Sequence, residues 1–452
     1  MKVTRAPRGI GMPALWLAVL AMAACSATGG GGGGDGVEAK AIPAAAMDYV
    51  AFAWNDLGMH CLNPTYDKAV ILPPYNTVWV QVVKRGDPPE IVTAGLRVEY
   101  AIRGNTYSYG KQSYGQFWDY MPDLFGVSLP HDQGLNLEDP GIHNGLSGTM
   151  VVKGDHFQAN GIPVVPVDDT LAWDPYQVAE ITVRDSGTNA VLVQTRATVP
   201  TSDEINCGRC HGGDALLDVL QEHDDEMGTT LAAGRPVLCA SCHGSPGLGQ
   251  TGPGSSGKYL SQVIHGSHAS RGATCYDCHP GPITRCSRSA AHTSSDGNCV
   301  ACHGTMQDVA ASIASGGRIP WIGEPLCATC HAGIAEINTG TTLYRNASGH
   351  NGISCPACHG SPHAQVPTSL AADGYQSAQY QTAVLPIGTC KVCHADSKGE
   401  GIEEFGEAHG GTRATACRVC HTAGPSPTAS RWPPRCSGRS HRTTAKRTGP
   451  TT

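Results

Sequence analysis

Aromatic side chains are scarce where a core would need them. Trp, Tyr and Phe make up 6% of the 452 residues. Between residues 201 and 425 only Tyr259, Tyr276, Trp321, Tyr344, Tyr375, Tyr380 and Phe405 occur. The rest of that stretch is rich in Gly, Ser and Ala, so it cannot bury enough apolar surface to build an ordinary core. Something other than side chains must fill it. Cysteine is missing from the other half, where only Cys25 and Cys61 precede residue 200. Net basic charge is lacking too: a formal charge of -7 excludes the basic face that a nucleic-acid partner would require. No stretch is long and apolar enough to be a transmembrane helix.

The length allows two or three domains. Residues 1–25 read as an export signal. Lys2, Arg5 and Arg8 form a positive start, and the apolar run Met12 to Ala24 is too short to span a bilayer comfortably. Ala23 and Ala24 precede Cys25, which resembles a bacterial lipoprotein cleavage site and makes Cys25 a candidate for lipid attachment. Met22 stands where Leu, Val or Ile is usual, so ordinary signal cleavage stays open. Residues 26–45, with six glycines from Gly29 to Gly34, read as a flexible tether. The expected location is outside the cytoplasm, at the outer membrane surface or beyond it, with the periplasmic side also open.

Residues 46–200 are β-rich. Asn76 to Gly86, Gly95 to Gly104, Gly148 to Phe157 and Gln177 to Val199 mix β-branched and polar residues. Gly, Pro, Asp and Asn clusters separate them, and "RDSGTNA" reads as a hairpin turn. Strands at this spacing predict a small β-sandwich. The aromatic stretch Tyr107 to Gly126 reads as a packed loop or a contact surface. The fold class expected for the whole chain is mixed α+β, a sandwich-like domain followed by a loop-rich domain with short helices.

From Cys207 to His421 one short unit recurs: CGRCH, CASCH, CYDCH, CVACH, CATCH, CPACH, CKVCH and CRVCH. The repeat step is about 30 residues. Gly, Ser and Pro loops separate the units, with helical patches at Asp214 to Met227 and Met306 to Ser315. This second domain spans 201–425. The final segment, 426–452, is a basic tail without acidic residues, read as disordered or as an out-of-frame end.

The sequence C-x-x-C-H is the attachment signature of c-type haem. Two thiols at this spacing reach the two vinyl groups of one porphyrin, and the next histidine places a ring nitrogen on the iron. Zinc sites built from paired C-x-x-C units need no histidine after every second cysteine. A redox dithiol would occur once or twice rather than eight times. With 20 histidines in 452 residues, chance placement at all eight positions is on the order of 10⁻¹¹. The expected cofactors are eight covalent haems, which would also supply the missing aromatic bulk. The thioether cysteines would be Cys207, Cys210, Cys239, Cys242, Cys275, Cys278, Cys299, Cys302, Cys327, Cys330, Cys355, Cys358, Cys390, Cys393, Cys417 and Cys420. The proximal iron ligands would be His211, His243, His279, His303, His331, His359, His394 and His421.

A second histidine on an iron makes it an electron carrier, whereas an open position binds small molecules. Seven further histidines lie among the motifs: His223, His265, His268, His292, His350, His363 and His409. Several stand five to eight residues before a motif, as His268 stands seven before Cys275. These are the distal candidates, one fewer than the motifs. The eighth ligand would come from the N-terminal half, His441 or a neighbouring chain, or one iron would stay open. Met227 and Met306 are weaker candidates, and His60 reads as a position in the β-domain core. Cys61 and Cys286 form a disulfide or remain thiols, as export permits either.

These eight motifs, the interspersed histidines and the lipoprotein-like start resemble the multihaem c-type cytochromes of metal-respiring bacteria. The resemblance covers about 201–425 strongly and the β-domain only loosely. It implies near-contact haems with bis-histidine irons that pass electrons to other redox proteins or insoluble acceptors. It also implies, for some members, self-association into filaments, and here a membrane link through the N-terminal lipid. The alternative is an octahaem oxidoreductase with one open haem acting on nitrite, hydroxylamine or tetrathionate.

Overall fold

The computed structural model describes residues 47–281, 283–290, 292, 299–323, 325–326, 342–349, 352–381 and 383–395. Cys25, the motifs at 327–331 and 417–421, His350, His409 and His441 lie outside them. The described part belongs to one compact unit running from residue 39 onward. It mixes antiparallel sheets with short helices. No helix among the described residues is long and apolar enough to cross a membrane.

Strand β1 (Tyr49–Trp54), β4 (Asn76–Lys84), β9 (His156–Ile162) and β8 (Val151–Lys153) form one antiparallel sheet, with β5 (Glu90–Ile91) beside β4. A second antiparallel sheet runs β11 (Val191–Thr198), β10 (Val178–Asp185), β6 (Leu96–Ile102), β7 (Ser147–Thr149). The alternation along β10 explains its orientation: Ala179, Ile181 and Val183 enter the core while Glu180 is exposed. The same core takes Val78, Val80 and Val82 from β4 and Val98 and Tyr100 from β6. Both sheets therefore bury one face in a single apolar layer. The turn read at "RDSGTNA" joins β10 to β11, and the Asp185 carboxylate accepts from the backbone N–H groups of Gly187 and Thr188. The stretch read as one strand, Gly148 to Phe157, is instead divided. β7 pairs with β6 in one sheet and β8 pairs with β9 in the other, with buried Met150 at the crossing.

Strand β1 of the first sheet is apolar on both faces. In β1, Ala51 and Ala53 point into the core between the sheets, while Val50, Phe52 and Trp54 point the other way. There they meet Val83, Ala357, Tyr380 and Val392. Two of those partners lie inside C-x-x-C-H units, so the back of this sheet is a platform for the motifs at 355–359 and 390–394. The Tyr380 hydroxyl donates to the Ala51 carbonyl at 2.8 Å. The aromatic stretch from Tyr107 forms helix α1 (Gln116–Phe125), whose Phe117, Trp118, Met121 and Leu124 pack with Tyr66 and Val70. It is a packed element and not an open loop.

Arg288 ties these parts together. Its side chain is 1% exposed and forks onto Asp373, itself 2% exposed, at 2.7 and 3.1 Å. The same guanidinium donates to the Gly58 carbonyl at 2.8 Å, and Thr198 donates to the Asp373 carboxylate. Removing one partner of a buried pair strands the other charge. Arg288→Met should therefore cost about 3–5 kcal/mol in denaturant unfolding of the full-length protein. A loss below about 1 kcal/mol would show that the pair does not hold the halves together.

Candidate metal centres

Each described motif closes a single helical turn. At Cys207, Cys239, Cys275 and Cys390 the turn is a short 3₁₀ segment, and at Cys299–His303 (α4) and Cys355–His359 (α6) an α-helical one. The histidine N–H donates back to the carbonyl of the first cysteine, at 2.9 Å for His211, 3.1 Å for His243, 2.8 Å for His279 and 3.0 Å for His394. Positions i, i+3 and i+4 of one turn share a face. Both thiols and the imidazole of each motif therefore project to the same side.

Four motif histidines face a second histidine. His211 opposes His268 with ring centroids 6.1 Å apart, and His243 opposes His223 at 6.4 Å. His279 opposes His265 at 6.1 Å, and His303 opposes His363 at 6.1 Å. Two imidazoles sharing one ion through metal–nitrogen bonds of about 2.0 Å, each ring centre a further ~1.1 Å behind its nitrogen, sit about 6.3 Å apart. The spacing fits one ion between each pair.

The outer nitrogens are already occupied. Nδ1 of His265 donates to the Ser261 carbonyl at 2.7 Å, Nδ1 of His268 to Ile264 at 2.8 Å, and Nδ1 of His363 to Leu57 at 3.0 Å. A carbonyl only accepts, so these Nδ1 atoms carry the proton and leave Nε2 with its lone pair as the ligand atom. Nδ1 of His223 lies 3.0 Å from Thr229 Oγ1, and Nδ1 of His243 lies 2.8 Å from Ser256 Oγ. Two motif histidines meet carboxylates instead. His211 Nδ1 is 3.2 Å from Asp218 and 3.6 Å from Glu222, and His394 Nδ1 is 3.0 Å from Asp87. A carboxylate there makes the ring a stronger donor than a carbonyl does.

Ligation needs neutral imidazoles. Burial pushes His279 down to about 4, with the rings of His265 and His363 adding to the effect. Burial, then His363 and Arg318, pushes His303 down to about 4. Burial also lowers His265 and His363. All four rings are thus unprotonated at neutral pH.

Shared elements place the pairs next to one another. Helix α2 (Ala215–Met227) carries His223 for the His243 pair and Asp218 and Glu222 against His211. Helix α3 (Leu260–His268) carries His268 for His211 and His265 for His279. The first and third motifs touch directly: Arg209 pairs with Asp277, and the Asn206 N–H donates to the Asp277 carbonyl at 3.1 Å. The His279 and His303 rings in turn both feel His363. The spatial order is therefore second, first, third, fourth.

Among the distal candidates, His223, His265, His268 and His363 each lie opposite a motif histidine. His292 is exposed, with Nδ1 3.1 Å from Ser289 Oγ. The intervals before motifs do not give the partners. His268 stands seven residues before Cys275 yet opposes His211, while His265 opposes His279. Met227 is 66% exposed. His60 is buried on β2 (His60–Cys61) beside Asp56 at 3.0 Å and stacked on Tyr75. Sequence reading missed Asp218, Glu222 and Asp87, because acidic residues on a helix or loop carry no mark of the ring they will meet. No protein-family model matches the chain, and neither curated proteins nor solved structures give a match.

Proposed function

We propose that the chain is an exported multihaem c-type cytochrome that conducts electrons through eight covalently bound haems, at or beyond the outer membrane surface and tethered there through Cys25. The observation that supports it is the set of four imidazole pairs at 6.1–6.4 Å, each built from one C-x-x-C-H histidine and one outside the motifs. In this reading the two β-sheets form a sandwich, and the porphyrins form the core of the motif-bearing half. Haem iron held by two histidines cycles between ferric and ferrous without opening a coordination site.

The chain's own residues then do three things. The one-turn motifs would aim two thiols at the vinyl groups of one porphyrin and a ring nitrogen at its iron. The carbonyls of Ser261, Ile264 and Leu57 fix the distal rings as neutral Nε2 ligands. Asp218 and Glu222 at His211, and Asp87 at His394, would make those rings stronger donors to a bound iron and so favour its ferric form. The electron donor and acceptor would be redox proteins or an insoluble oxidant reached from the exported face.

Low-temperature EPR of the fully oxidised protein, with haem counted by mass on the same sample, tests the reading. Eight haems, all low-spin ferric, are expected. One high-spin haem in eight that shifts on adding nitrite or hydroxylamine would overturn it in favour of an oxidoreductase.

A further inference from the structure

We infer that Cys61 and Cys286 are joined by a disulfide in the mature protein, pinning the β-rich half to the loop that leads into the fourth motif. The inference rests on the export part of the reading above, since an oxidising compartment is required.

Two separate bridges bring the cysteines together. Strand β2, which ends at Cys61, pairs in parallel with β12 (Thr201–Ser202), placing Cys61 opposite Ser202. The Ser202 hydroxyl lies 3.0 Å from Thr284 Oγ1, two residues before Cys286. On the other side, Arg288 Nη1 donates both to the Gly58 carbonyl at 2.8 Å and to the Cys286 carbonyl at 3.4 Å. The backbone three residues before Cys61 and the backbone of Cys286 thus meet at one nitrogen atom. Burial first, and then charge on Cys286, raises the Cys61 thiol far above its usual range. Both residues are half-buried thiols in the structure.

The pairing also has a chemical rationale. Cys286 is pushed up to about 11, mainly by burial, and feels Cys299, the first thiol of the fourth motif. A spare thiol beside an attachment cysteine would compete with it for a haem vinyl group or for a disulfide. Joined to Cys61, it cannot. Each thiol gives up one proton and one electron as the S–S bond forms. Both pairs pass to the disulfide of an exported thiol–disulfide oxidant, which leaves as a dithiol. The bond would close a long loop, the case in which a cross-link restricts the unfolded chain most.

The test uses full-length, haem-loaded protein, denatured in acid, alkylated with iodoacetamide without reductant, and digested. Expected is one pair of linked peptides containing Cys61 and Cys286, about 2 Da lighter than the two thiol peptides together, which separates on reduction. Haem-loaded protein in which both cysteines carry the alkyl group without prior reduction would overturn the inference. A link from Cys286 to Cys299 would overturn it as well. The haem count from the same spectra tests the electron-transfer reading independently.

Discussion

Chain exported from cells unable to attach c-type haem will be cut by protease throughout the motif-bearing half, and a fragment spanning roughly 47–200 will survive. The difference follows from where apolar side chains are buried. The two sheets share a continuous core that includes Val78, Val80, Val98, Phe157, Ile181 and Val183, and a second cluster under α1 holds Tyr66, Phe117, Trp118 and Met121. Among the described residues from 203 to 352 the buried apolar side chains are few and scattered: Leu220, Ala240, Leu248, Leu260, Ile313, Leu343 and Ala347. Such a segment cannot offset the entropy of ordering its backbone, about 1–2 kcal/mol per residue. On the proposed reading, a porphyrin at each motif would supply the missing surface. The segment 355–393 would be lost too, although Ala357, Tyr380 and Val392 pack on the first sheet. Its departure would expose Val50, Phe52, Trp54 and Val83, so the surviving fragment should bind a hydrophobic dye. Apo-protein that resists protease along its whole length would overturn the reading of a haem-filled core.

What could be read from the sequence follows the same division of labour. The hairpin at Asp185 and the strands flanking it were legible because alternation and turn chemistry act over a few neighbouring residues. The helix from Ala215 to Met227 was legible for the same reason, with Asp214 capping it through Leu217. The strand Tyr49–Trp54 was not. Buried on both faces, it has no polar alternation to announce it. Helix α1 was hidden by Gly115 before it and Pro122 inside it, both of which read as breakers. At the metal centres, the motif fixes the proximal side by local spacing alone. The distal side depends on which helices lie beside which turns, and that is a long-range property. His363 illustrates this: it follows the sixth motif in sequence, sits at the fourth, and is held there by the Leu57 carbonyl of the β-rich half.

Replacing His268 with alanine should convert one haem in eight to high spin, and that haem should be the one on Cys207 and Cys210. The prediction separates two rules for pairing. Under sequence proximity, His268 serves the motif that follows it, at Cys275. In the structure His265 and His268 stand one turn apart on α3 and serve different turns, His279 for the first and His211 for the second. Their Nδ1 atoms donate to Ser261 and Ile264 within the same helix. Loss of one side chain therefore leaves the other ring correctly held. Two triple variants decide the assignment. Adding Cys207→Ala and Cys210→Ala to His268→Ala should remove one haem by mass and the high-spin signal with it. Adding Cys275→Ala and Cys278→Ala should remove one haem and leave that signal in place. The reverse result would mean that α3 is turned relative to the motifs. His268→Met supplies a graded check, since a His/Met iron stays low-spin and has a raised potential. The affected haem is also a junction: α2 links it to the His243–His223 pair, and α3 links it to the His279–His265 pair. Opening this one iron should therefore slow reduction of the second-motif haem from the third-motif side, while exchange between the third and fourth is unchanged.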